Sequence, residues 1–342
     1  MYIGFYAPTH GIPYRDDENL ILRSVPAQAM QVVQIAQKAD AAGFHSMWCG
    51  DHVCMPRTTE RPHVANASGT RAYQERHEMI DAAIAMSAVA ASTTSLRVAT
   101  GVLIAPYRNP LHDARQFACI DVLSEGRLIL GIGAGWAEEE FAALGVPFAE
   151  RGKRTEECIE IYKRAWCDDP VAFDGKHYRF EDLSMDPKPL QKPRPPIIYG
   201  GVAPAGARRA ARHCDGFYPM FFDPHADPFR YTSLQDIIRH ELETAGRGPD
   251  SFSMSAAVSM RLTSANDPIA QQSQRPVCTG TPEQVLEDLD RFARAGYSLA
   301  VGIFDCPSGE AEEYAEQVEW VGRDVLPQAA AIKADGDWQP LA

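Results

Sequence analysis

Short apolar runs alternate along the chain with longer segments in which apolar residues return every three or four positions. The short runs lie at residues 2–7, 44–49, 96–104, 128–132, 197–201, 215–219, 253–261 and 299–304. They are read as buried parallel strands, and the run at 128–132, hydrophobic on both sides, shows the pattern most plainly. Helical patterns follow them in turn. Val32, Ile35, Ala36 and Ala39 share one face ahead of a stop at Gly43. Residues 79–91 are alanine-rich, 111–123 carry Ala114, Phe117, Ala118 and Val122 on one side, and 154–166 turn Cys158, Ile161, Tyr162, Ala165 and Trp166 inward. Further helices are predicted at 203–213 and 234–244, from Thr281 onward, and at 311–326.

Eight strands alternating with eight helices predict a parallel sheet closed by right-handed crossovers, that is, an α/β chain forming a single (β/α)8 TIM barrel. The barrel is expected over residues 1–330, with an exposed, mobile tail at 331–342. Two stretches fit neither period and read as insertions, 55–74 after the second strand and 221–231 after the sixth. Residues 9–23 read as a polar loop, and 168–196 as a proline-rich irregular segment with a small excursion of strand around 177–180. In a barrel of this kind the site lies at the C-terminal ends of the strands. The pattern itself therefore nominates His10, Asp51, His52, Gly101, Val102, Ala134, Gly135, Gly200, Gly201, Thr279, Gly280 and Asp305.

Composition narrows the function more than the fold. Hydrophobic residues at 45% and charged residues at 23% describe an ordinary globular chain. A formal charge of -13 argues against nucleic acid or an anionic membrane as partner. No apolar run approaches the length of a membrane span, and the chain opens directly on a strand pattern, so a cytoplasmic location is expected. The eight cysteines are scattered, with no Cys-x-x-Cys pair, and read as free thiols. His63, His77 and His225 fall in or near the insertions without a ligand pair such as His-x-x-x-His, and no metal is expected.

The stretch from Ser124 to Trp166 organises the rest. Gly131, Gly133 and Gly135 leave bare backbone where the fourth strand ends, which lets a flat ring or a phosphate approach within hydrogen-bond distance. A dinucleotide fingerprint fails in both registers, because Trp136 and Glu138 stand where the third glycine is required. Glycines kept only for close helix-strand packing are the alternative reading.

The chain resembles the bacterial luciferase-like monooxygenase superfamily, barrel enzymes that use reduced FMN or the deazaflavin F420. The resemblance is carried by Ala42-Gly43-Phe44 with Gly50-Asp51-His52, residues 90–102, Arg108-Asn109-Pro110, and 123–136 with Glu139-Glu140-Phe141. It continues through Leu144-Gly145-Val146-Pro147-Phe148, residues 151–166, and 195–201 with Asp215-Gly216. It runs from about residue 2 to 326, and the order and spacing of these segments are more specific than any one of them.

The resemblance implies a non-proline cis peptide at Gly101-Val102 behind the flavin, an acid-histidine pair at Asp51 and His52, and a fourth-strand end at Ala134 and Gly135 under the ring. It places Arg154 near the phosphate, and Tyr199, Gly200 and Gly201 where backbone N–H groups meet the phosphate side ahead of a helix. Two departures stand out. Trp136 replaces the glutamate of the F420-dependent sugar-phosphate dehydrogenases, and Ala134 replaces an arginine of luciferase, so that one phosphate contact is either missing or supplied by Arg154 or Arg151. Only seven lysines are present, which weighs against the long anionic tail of F420.

The expected function is a flavin-dependent monooxygenase that takes reduced FMN from a separate reductase and uses O2 to oxygenate a small organic substrate. The alternatives are an F420-dependent oxidoreductase that transfers hydride, and a flavin-binding barrel without turnover. A homodimer is implied by the resemblance. His52 is the first candidate for the proton donor, beside a carboxylate at a strand end. His10 is a second residue able to face the substrate, and Trp136 either walls the pocket or packs. Arg108 and Asn109 are expected to fix their loop, and Glu138 to Glu140 to act as a solvated cap at a helix N-terminus.

Overall fold

The computed structural model describes residues 1–341 except 17, 18, 62–65, 67, 69, 71 and 222. Eight strands pair in parallel around a closed ring. Tyr2–Tyr6 lies beside Ser46–Cys49, which pairs with Arg97–Thr100, and that with Leu128–Gly133. Ile197–Gly200, Gly216–Tyr218, Ser253–Leu262 and Leu299–Phe304 follow. The last strand returns to the first, with Tyr2 opposite Leu299 and Phe5 opposite Gly302. The expected TIM barrel is formed.

Eight longer helices, one after each strand, surround it: Val32–Ala42, Ala82–Ser92, Pro110–Leu123, Arg151–Cys167, Pro204–His213, Thr232–Thr244, Pro282–Arg294 and Ala311–Asp324. Their ends follow local chemistry. Asp81 and Asn109 accept from the first free N–H groups of their helices, and Thr281 with Gln284 forms a capping box. Among the described residues no helix is long and apolar enough to cross a membrane.

Two apolar layers hold the barrel. The larger lies between helices and strands, and a smaller one fills the interior with Trp48, Ile129, Ile198, Tyr218, Val301 and Ile303. Trp48 stacks on Tyr218 at 4.6 Å between centroids, and Ala99 and Ala257 leave room for that pair.

Three expectations are corrected. Residues 9–23 are not a loop throughout: Ile12–Asp16 and Asn19–Arg23 form an antiparallel hairpin. Leu20 and Leu22 point into the protein with a period of two that the apolar Ile21 between them obscures. The proline-rich segment holds a full hairpin, Val171–Asp174 with Arg179–Leu183, rather than a short excursion. It is tied to the preceding helix because the Glu157 carboxylate accepts from the N–H groups of Lys176, His177 and Tyr178 at 2.9 to 3.2 Å.

The tail is the third correction, since two of its apolar residues are buried although most of its other described residues are exposed. Trp338 is buried against Phe252 with the Arg239 guanidinium 4.2 Å from its ring, and Leu341 joins the cluster inside the barrel. Burying an indole and a leucine outweighs the entropy of ordering so short a segment.

The insertion at 55–74 lies partly outside the described residues. Its Asn66 side chain accepts from the Leu20 N–H and donates to the Leu20 carbonyl, both at 2.9 Å, and Ala72 accepts from Leu22 at 2.8 Å. The insertion and the first hairpin thus form one cover over the end of the barrel where the strands finish.

Candidate active site

A cavity of about 100 Å³ lies at the C-terminal ends of the strands. Tyr6 and His10 reach it from the first strand and its loop, Gly50, Asp51 and His52 from the second, and Gly101, Val102 and Ile104 from the third. Trp136, Tyr218, Met220, Ala257 and Ile303 contribute from later strands, while Leu20, Leu22 and Tyr73 come from the cover. Its walls are mostly apolar, so a charge inside is weakly screened.

His52 is the most constrained polar group there. Its Nδ1 lies 2.7 Å from Oε2 of Glu140, and both side chains are nearly buried, 6% and 2% exposed. The other Glu140 oxygen accepts from the N–H groups of Val53 at 2.7 Å and Cys54 at 3.1 Å. Burial alone would raise the Glu140 carboxyl. The His52 hydrogen bond and charge, with these two N–H groups, outweigh it and hold the carboxyl below its ordinary value. A carboxylate at Nδ1 fixes the ring orientation and leaves Nε2 for a ligand. Tyr73 and Trp136 meet the imidazole edge-on, at 5.4 and 6.2 Å between centroids, and the His10 ring lies 5.8 Å away.

The acid beside His52 in sequence has a different task. Asp51 accepts from the Ile104 N–H at 2.9 Å and from both arms of the Arg108 guanidinium. Asp51 and His52 share the cavity without forming the pair that their adjacency suggested. Arg108 fixes this loop, as expected, and Asn109 caps its helix. Glu140, read from the sequence as part of a solvated cap, is 1% exposed and supplies the histidine's carboxylate. The signal for it was available: Ala137, Glu140, Phe141 and Leu144 share one helical face, which places an acid on an apolar stripe.

His10 is 2% exposed, and its Nδ1 has no partner. Burial, followed by the charges of His52 and His77, holds its imidazole well below the usual value, so it is neutral at ordinary pH. The Tyr218 hydroxyl is likewise buried without a partner, and burial raises its pKa. His77 donates from Nε2 to the His10 carbonyl at 2.8 Å, and His63 lies outside the described residues. Among the described residues no group of three or more His, Cys, Asp or Glu side chains is placed to hold a metal ion.

The Gly101-Val102 peptide bond is cis, as expected for this position. The Val102 side chain then fills the space where Gly133 and Gly200 lack one: a Cβ on Gly133 would stand 2.5 Å from it, and one on Gly200 closer still. Gly135 has φ +82°, and its Cβ would meet Phe141 at 2.6 Å. Ala134, Gly135, Arg154, Tyr199, Gly200 and Gly201 do not line this cavity.

Several of these residues lie instead around the N-termini of two neighbouring helices. Arg154 pairs with Glu150 at 3.0 Å. Tyr199 accepts from Arg209 at 3.0 Å, and Arg209 also meets Glu156 at 3.3 Å. Arg151 is close enough to Arg209 and Arg61 that, after burial, their like charges lower its pKa. Arg209 was not singled out from the sequence, where an isolated arginine on an amphipathic helix looks like part of a solvated face. Thr279 and Gly280 pair in parallel beside the end of the seventh strand, at Arg261 and Leu262, and Asp305 accepts from the Arg15 N–H to anchor the first hairpin.

Comparison with known proteins agrees with this arrangement. The luciferase-like monooxygenase family model matches residues 1–275. An uncharacterized protein of Mycobacterium tuberculosis is 35% identical over 192 residues, 56% of this chain and 66% of that one, so the chain spans just under two thirds of the length of such curated relatives. An FMNH2-dependent dimethylsulfone monooxygenase of Pseudomonas putida is 38% identical over 134 residues, 38% of this chain and 37% of that one. An F420-dependent glucose-6-phosphate dehydrogenase of Amycolatopsis mediterranei is 28% identical over 338 residues, 88% of this chain and 95% of the other. The solved monooxygenase RslO1 of Streptomyces bottropensis shares the fold with a TM-score of 0.74 at 22% identity, covering 96% of this chain and 99% of that one. With its closed barrel, its cis peptide after the third strand and a family match reaching from the first strand past the seventh, the chain belongs to the luciferase-like monooxygenase family, whose members here are flavin- or F420-dependent oxidoreductases.

Proposed function

We propose that the protein is a flavin-dependent monooxygenase that takes reduced FMN from a separate reductase and uses O2 to oxygenate a small organic substrate. The observation that carries this reading is the buried His52-Glu140 pair in the wall of an apolar cavity, a proton donor held in one orientation away from bulk water. Reduced flavin, when bound, supplies the two electrons that activate O2.

The residues present fit such a group. Gly50 and Gly101 offer bare backbone in the cavity wall, beside Val102 on the cis peptide. Past the end of the fifth strand, Arg151 and Arg209 with the N–H groups that open the helix starting at Pro204 would hold a phosphate, the Gly201 N–H being engaged by the Tyr218 carbonyl. Arg154, already engaged by Glu150, would contribute less.

On this reading the remaining roles fall to the protein's own residues. His52 holds a proton at Nε2 while Glu140 fixes Nδ1 and compensates the imidazolium. Asp51 and Arg108 brace the loop carrying His52. Leu20, Leu22 and Tyr73 close the cavity against water.

The second reading, hydride transfer with F420, is favoured by one observation, the similarity over 338 residues to an F420-dependent dehydrogenase. Trp136 and the scarcity of lysine weigh against it. Anaerobic titration of the purified protein with reduced FMN and with reduced F420, followed by admission of air, separates the two. Tight binding of reduced FMN and substrate-linked oxygen consumption are expected. Preference for F420 with no response to air would replace the proposal by hydride transfer, and binding without any turnover would leave a flavin-binding barrel.

A further inference from the structure

The polar groups around the cavity are either engaged or uncharged. Both oxygens of Asp51 are taken up by Arg108 and the Ile104 N–H. Both oxygens of Glu140 are taken up by His52, Val53 and Cys54. Neither carboxylate offers a cation an oxygen that is not already hydrogen-bonded. Among the described residues no lysine or arginine lines the cavity, and any charge on His52 is already matched by the Glu140 carboxylate, so an anion entering it would shed water without gaining an unpaired counter-charge.

Two uncharged polar atoms in the wall, His10 Nδ1 and the Tyr218 hydroxyl, are buried without a partner. Unpaired buried polar groups are uncommon and costly in folded proteins, and a ligand that supplies the missing hydrogen bond removes that cost. Around them stand Leu20, Leu22, Trp136, Met220, Ala257 and Ile303, all apolar or nearly so.

We infer that the site, on the monooxygenase reading above, takes an uncharged organic substrate: a small apolar body bearing an oxygen or nitrogen that pairs with His10 or Tyr218. Carboxylates, sulfonates and ammonium ions are turned away. Leu20 and Leu22 of the hairpin and Met220 after the sixth strand set this preference, because a charge introduced at any of them would face the substrate.

The test uses probes of matched shape that differ in charge: isobutyramide against isobutyrate, dimethyl sulfone against methanesulfonate, and tert-butanol against tert-butylammonium. Binding to the purified full chain, with and without FMN, is followed by ligand-observed NMR. Each neutral probe is expected to bind at least tenfold more tightly than its charged counterpart. Met220→Lys, at a half-buried wall position, should narrow the gap for the two anions at least fivefold. His10→Phe should weaken isobutyramide several-fold. An anion or ammonium bound as tightly as its neutral partner overturns the inference, and so does failure of every neutral probe to bind. FMN titration of the same samples keeps the two readings apart. Neutral preference without FMN binding would sink the flavin proposal alone, whereas FMN binding with anion preference would sink this inference alone.

Discussion

Glu140 lies 88 positions after His52 in the chain, yet its carboxylate stands 2.7 Å from the imidazole Nδ1. The contact joins the end of the second strand to the short helix Glu138–Ala143 after the fourth, so two loops of the barrel mouth share one buried pair. Glu140→Gln keeps the shape and removes the charge. Turnover is expected to fall about ten- to a hundredfold, as for other carboxylates that orient a working histidine. His52→Ala should cost at least as much, and the double variant little more, because the two act as a unit. Steady-state kinetics across pH on all three checks this, and equal pH profiles for wild type and Glu140→Gln would remove the pair from catalysis.

Asp113 gives a pH-dependent signature in stability. It is 1% exposed, accepts from the Tyr162 hydroxyl at 3.0 Å, and burial, only partly offset by Arg108 and Tyr162, pushes its carboxyl up to about 6. A carboxyl raised on folding binds protons more readily in the native state, so its contribution to stability declines as pH rises from about 4 to 6. Asp113→Asn lacks this titration. Its unfolding free energy relative to wild type should improve across that interval by about 1–3 kcal/mol and level off above it. Urea melts at pH 4, 5, 6 and 8 measure the change, and a constant difference across them would refute it.

Val102 and Gly133 should be coupled. A Cβ at position 133 would stand 2.5 Å from the Val102 side chain, too close without movement of one or the other. Gly133→Ala is expected to cost about 1–3 kcal/mol, as overpacking does, and Val102→Ala in the same chain should restore most of it. The double-mutant cycle reads the coupling directly, and additive effects would mean that the glycine is required for another reason.

Trp338 tests the packed tail. It is 7% exposed, with Phe252 and Arg239 against its ring, and the backbone N–H of Gln339 donates to the Phe252 carbonyl at 2.9 Å. Trp338→Ala should destabilise the protein by about 3–5 kcal/mol. Thermal unfolding settles it: a change under about 0.5 kcal/mol, the range of ordinary surface substitutions, would return the tail to an ornamental role.

Much of the fold was legible in the amino-acid sequence because the alternation of apolar runs and helical faces records which side of each element is buried. Eight such alternations specify a parallel barrel, and the barrel in turn places His10, Asp51, His52, Gly101 and Val102 at one end. Periodicity says nothing about partners across the ring. Only the closed structure assigns Glu140 to His52 and Arg108 to Asp51, since ion pairs between loops depend on how strand ends are brought together. The same limit hid the hairpin Ile12–Asp16 with Asn19–Arg23, whose buried leucines flank an equally apolar Ile21 and so show no alternation, and the tail, whose few apolar residues show no period at all. Burial of Trp338 and Leu341 was decided by sites that the barrel had already built to receive them.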